Sequence, residues 1–74
     1  MKPRWRAIVA NRVRPGDTVW WRGEAWTVER NYCHPRSPYA KMNLNGADIQ
    51  NMYTSRTIGK YDRIWLKVYD PFSP

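Results

Sequence analysis

Apolar and polar positions alternate along most of this chain with the period of two that belongs to β-strands, where neighbouring side chains point to opposite faces. Residues 17–22 put Val19 and Trp21 on one side and Trp20 and Arg22 on the other. Residues 25–30 answer with Trp26 and Val28 on a facing row. In residues 39–44, Ala40, Met42 and Leu44 share a face, and in residues 62–69, Ile64, Leu66 and Val68 alternate with Trp65, Lys67 and Tyr69. The breaks between these runs are turn residues. Pro15-Gly16-Asp17 predicts a turn before the first strand, Gly23-Glu24 a tight hairpin, and Asn45-Gly46-Ala47-Asp48 the strongest turn of the chain. Residues 31–38, with two prolines beside Cys33 and His34, read as a loop. Residues 49–56 fit either one helical turn or an irregular strand, because Ile49, Met52 and Tyr53 suit both. Gly59 ends that stretch, and Pro71 and Pro74 stop regular structure after the last strand.

Four or five short antiparallel strands in about sixty residues predict a mainly β fold, bent into a small barrel, with room for one short helical turn. The phrase Val13-Arg14-Pro15-Gly16-Asp17-Thr18-Val19, followed by Arg22-Gly23-Glu24 and Trp26-Thr27-Val28, resembles the opening hairpin of SH3-like barrels, including transcription-associated and ribosomal ones. An OB-like barrel is the alternative.

Charge divides this picture in two. The 74 residues carry 13 Lys/Arg against 6 Asp/Glu, a formal charge of +7. Five of the bases, Lys2, Arg4, Arg6, Arg12 and Arg14, fall in the first fourteen residues, where there is no acid. The expected organisation is therefore a basic N-terminal arm over 1–12, a nearly balanced barrel over 13–70 and a tail over 71–74. At 42% hydrophobic and 26% charged residues the chain as a whole is globular in composition, not a disordered basic tail. A domain this small has a thin core and little room for a deep catalytic pocket.

The chemistry-bearing residues point away from catalysis. One Cys and one His, Cys33 and His34, cannot fill the four positions of a structural zinc site. Neighbours in an extended chain point opposite ways, so they also make a poor nucleophile–base pair. The acids Asp17, Glu24, Asp48 and Asp62 sit at turns and strand ends rather than as a working pair, and the isolated glycines form no phosphate-cradling loop. No enzyme, cofactor or metal is expected. The apolar runs at 7–10 and 19–21 are far short of the roughly 20 residues of a spanning helix. With a single cysteine, which cannot form an internal disulfide, they predict a cytoplasmic protein without a membrane partner.

What remains is binding. Trp20 and Arg22 point out from one strand, and Trp65, Lys67 and Tyr69 from another; exposed aromatics beside cations are the residue types enriched in interface hot spots. With Trp5 they make the expected partner-binding set. The competing reading is that the N-terminal segment folds back over the tryptophans, with Trp5 or Ile8 and Val9 as the lid. Lys2, Arg4, Arg6, Arg12 and Arg14 are expected to contact RNA or an acidic surface, because Trp5, Ile8, Val9 and Val13 are interleaved with them, which a merely solubilising tail does not need.

The opening Met1-Lys2-Pro3-Arg4-Trp5-Arg6, the hairpin phrase over 13–23 and the overall size resemble the small lytic-phage regulators of bacterial RNA polymerase. That resemblance implies a non-catalytic protein of the host bacterial cytoplasm. It would bind host polymerase at the N-terminal part of the β′ subunit near the RNA exit channel, with the elongation factor NusA and nascent RNA as further partners. The implied activity is inhibition of initiation at host promoters and antitermination, a form of host takeover. An autonomous nucleic-acid-binding barrel, SH3-like or OB-like, is the alternative, and a monomer is the simplest state.

Overall fold

The computed structural model describes residues 3–49 and 51–69. Six strands follow one another: β1 (Pro3–Val9), β2 (Thr18–Trp21), β3 (Glu24–Tyr32), β4 (Tyr39–Gly46), β5 (Tyr53–Gly59) and β6 (Arg63–Tyr69), with a single 3-10 turn at Ala10–Arg12. All pair antiparallel in one sheet, in the order β1-β6-β2-β3-β4-β5. The protein is mainly β, as the alternation predicts. It differs from the expectation in strand number and in closure: β1 and β5 are the free edges of an open, bent sheet.

Two stretches account for the extra strands. The segment expected as an arm is β1, hydrogen-bonded along β6 from Pro3↔Tyr69 to Val9↔Arg63. Its own alternation explains this, because Trp5 and Ala7 fall on one face while Arg6 and Ile8 fall on the other. Residues 53–59 form β5 rather than a helical turn, since Thr54, Thr57 and Ile58 are β-branched and favour extended backbone. The helical turn lies at Ala10–Arg12, where β1 leaves the sheet.

Turn chemistry places the strands. Pro15 and Gly16 are the central residues of a turn closed by the Asp17 N–H donating to Arg14 O (3.1 Å), with Gly16 at φ +94°. That is the type II arrangement, in which the third residue must take positive φ. The β2–β3 hairpin turns on Arg22 and Gly23, at φ +53° and +74°, one residue earlier than the Gly23-Glu24 expected. Positive φ at both positions is the type I′ geometry that matches strand twist.

Asn45-Gly46 is the end of β4, not a hairpin tip, and the connection follows it. A side chain at Gly46 would come within 2.7 Å of the Ile49 carbonyl oxygen, so glycine is required there by close approach.

The core lies on the inner face of the bend. Val19, Trp26, Val28, Ala40, Met42, Leu44 and Ile64 are buried there with Ala10 and Val13. A large aliphatic side chain buried in this way contributes about 1.5–3 kcal/mol. Strand β3 carries a bulge between Val28 and Arg30, which bends it and shifts its phase. Beyond the bulge Asn31 turns inward, opposite Met42. Lys60, buried at 8% exposure, donates from Nζ to the carbonyls of His34 (3.0 Å) and Pro35 (3.4 Å) and pins the loop between β3 and β4.

Candidate functional site

The outer face of the β1–β6–β2 end of the sheet holds the exposed tryptophans. Antiparallel pairing sets Trp20 directly opposite Trp65, Trp65 opposite Ala7, and Trp5 opposite Lys67. Trp5 and Trp20 stand on the two strands that flank β6, strands roughly 9.6 Å apart, and are staggered by two residues along it. Their rings nevertheless meet edge to face, centroids 5.4 Å apart and planes at 70°. The two side chains therefore lean over β6 and close above it. Edge-to-face geometry aligns the positive rim of one ring with the negative face of the other, which is favourable beyond simple area burial.

Trp65 flanks this pair, and the three indoles line an open apolar groove of about 340 Å³. They remain 38% (Trp5), 43% (Trp20) and 54% (Trp65) exposed. Further along β6, the Lys67 ammonium sits 5.7 Å from the centroid of the Tyr69 ring, itself exposed.

Five of the six residues expected to bind a partner, Trp5, Trp20, Trp65, Lys67 and Tyr69, thus lie on this one face or along its edge. The structure does not bring Arg22 to it. Because the hairpin turns at Arg22, its guanidinium folds over the Trp21 ring, 4.4 Å from the centroid. Trp21 belongs to a second aromatic pair, 6.0 Å from Trp26. The Trp26 indole N–H donates to the Trp21 carbonyl at 2.9 Å. Arg56 from β5 reaches the same ring at 5.2 Å. Burial pushes the Arg56 guanidinium below its ordinary range, an effect opposed by the carboxylate of Asp62.

The basic residues separate from the tryptophans by strand alternation. Arg4 pairs with Val68 and Arg6 with Leu66, so both stand on the inner-face side of β1, while Trp5 stands on the outer. Arg12 is exposed on the 3-10 turn and Arg14 at the turn that follows, where its backbone N–H donates to the Asp17 carboxylate at 2.8 Å. Lys2 lies outside the described residues. The folded-back reading of the N-terminal segment captures one contact, Trp5 on Trp20, but Trp20 keeps much of its surface. Sequence reasoning missed Arg63, which ends up beside Arg6 and Arg12. The signal available for it was the alternation within residues 3–9, which marks a strand that has to pair with something.

Among the described residues, no group of three or more His, Cys, Asp or Glu side chains could hold a metal ion. Among them, too, no helix is long and apolar enough to cross a membrane. Comparison with known proteins gives no matching family model, no matching curated protein and no matching solved structure.

Proposed function

We propose that this protein is a non-catalytic regulator that binds bacterial RNA polymerase through its tryptophan face, inhibiting initiation and promoting antitermination in the host cytoplasm. The observation that carries the reading is the Trp5–Trp20 pair closed over β6 with Trp65 beside it. Three indoles held rigid on strands, exposed, and flanked by Lys67 and Tyr69 have the composition of an interface hot spot. Holding them on a sheet keeps the ordering cost of docking low, because the rings are already in place. The resemblance of the 1–6 segment and the 13–23 hairpin phrase to phage regulators of polymerase supplies the partner. The β′ N-terminal region near the RNA exit channel is the surface it implies, with NusA as a co-partner.

Binding of purified bacterial core polymerase to the immobilised wild-type chain and to W65A tests the reading. Trp65 is the most exposed of the three, so its removal spares the fold, as circular dichroism would verify. Loss of a central tryptophan costs at least about 2 kcal/mol of binding, roughly thirtyfold in affinity. The wild type should also lower run-off from a host promoter and raise read-through of an intrinsic terminator. Polymerase binding that is absent, or unchanged in W65A, refutes the proposal. A shallow dependence on salt is expected of an aromatic-centred interface, whereas binding through nucleic acid would weaken steeply.

A further inference from the structure

On the opposite side of the same two strands lies a second surface. Arg6, Arg12 and Arg63 surround a groove of about 530 Å³ whose walls include Ile8, Leu66 and Val68. The three arginines are exposed and the three aliphatic side chains are only partly buried. Among the described residues, no acidic side chain lines the groove. A concave surface with aliphatic walls and a rim of one charge sign focuses its field into the groove and attracts a ligand of the opposite sign.

We propose that this groove holds the phosphate backbone of single-stranded RNA. All three cations are arginine, whose planar fork matches phosphate oxygens two at a time, which a lysine ammonium does not. The aliphatic walls suit unpaired nucleotides, which expose ribose and base surface that a duplex keeps stacked. Strand alternation sets the groove back to back with the tryptophan groove, Arg6 inward and Trp5 outward on β1. One molecule can therefore hold a protein on one face and an RNA strand on the other without the two competing. The choice of RNA as the strand rests on the polymerase reading, since a regulator docked near the exit channel meets the transcript as it emerges.

The test is fluorescence anisotropy of a labelled oligouridylate of about 12 nucleotides, within the usual site size for a small β domain. The full chain is titrated at several salt concentrations, with an oligoglutamate of equal charge as competitor. Wild type should bind, with affinity falling as salt rises. The R6Q/R12Q/R63Q variant, altered only at exposed positions, should lose at least about tenfold at low salt, and its salt slope should shrink by about 2, as expected for three lost phosphate contacts on a single strand. W65A should bind the oligonucleotide as wild type does. Absence of binding, an unchanged affinity in the triple arginine variant, or equal displacement by oligoglutamate overturns the proposal, the last assigning the groove to an acidic protein surface. None of these measurements contains polymerase. Failure here leaves the tryptophan-face reading standing, whereas failure of W65A to weaken polymerase binding removes the ground for RNA as the strand and leaves the arginine groove to be judged by the oligonucleotide titration alone.

Discussion

Asn31 sits on the inner face just past the bulge in β3, and its side-chain nitrogen donates to two carbonyls, Ala10 at 2.8 Å and Val13 at 2.9 Å. One amide thereby ties both sides of the 3-10 turn to the centre of the sheet. N31A leaves the Val13 carbonyl without that donor and the Ala10 carbonyl with only the Val13 N–H (3.3 Å), at a cost of about 1–3 kcal/mol. N31D should be worse at neutral pH, because a carboxylate faces two carbonyl oxygens with nothing to donate. It should recover partly near pH 4, where protonation restores a donor; the introduced group's folded-state pKa is raised, so its stability is lost as pH rises. Urea midpoints measure both effects, with N11A, on the exposed side of the same turn, expected to stay within about 0.5 kcal/mol of wild type. The inward rows Val19, Trp26, Val28, Ala40, Met42, Leu44 and Ile64 were legible from alternation alone. Asn31 was not. A bulge inserts one residue and reverses the phase, so a polar side chain enters the interior at a position that period-two reading assigns to a loop.

At the scale of the element, β1 changes what a truncation means. Removing residues 1–6 deletes four of the seven β1–β6 residue pairs, from Pro3↔Tyr69 to Arg6↔Leu66, together with the Trp5–Trp20 contact. The truncated chain should lose about 2 kcal/mol or more of stability, from cross-strand and aromatic pairing together. It should also associate with itself at higher concentration through the bared edge of β6. Urea unfolding and sedimentation velocity read the two outcomes, and a truncated chain as stable and monomeric as wild type would contradict them. Point substitutions, not truncation, are thus the way to separate binding by this segment from folding. Lys2, Arg4 and Arg6 give this segment the composition of a basic arm, and charge carries no information about strand pairing. Its partner β6 lies at the far end of the chain, beyond the reach of any local pattern. The turn expected over Asn45-Gly46-Ala47-Asp48 begins two residues later, at Ala47. Asn45 and Gly46 stay in β4, and Gly46 is glycine because Ile49 O approaches it. G46A should force that loop to shift and cost about 1–3 kcal/mol, again read from the urea midpoint.

For the whole molecule, the excess of cations has a thermodynamic signature. A formal charge of +7 on a compact chain of 74 residues repels itself, and folding brings the like charges closer together. Added sodium chloride screens that repulsion over a Debye length of about 10 Å at 0.1 M. The melting temperature should therefore rise by roughly 4 °C, about 1 kcal/mol, between low salt and 0.3 M, where a protein held by surface ion pairs would instead lose stability. Calorimetry decides between the two. The pairing of β1 with β6 reaches further still, into how the protein is made. Of the described strands β1 is translated first and β6 last, and every other strand is synthesised between the two. Until β6 clears the ribosome, β1 has no partner, and its Trp5, Arg4 and Arg6 remain on an unpaired segment. Both grooves draw on these two strands, so neither can form before β6 has been synthesised. On the proposed roles of the two grooves, a nascent or prematurely terminated chain should bind neither ligand, so that binding competence would report synthesis through β6.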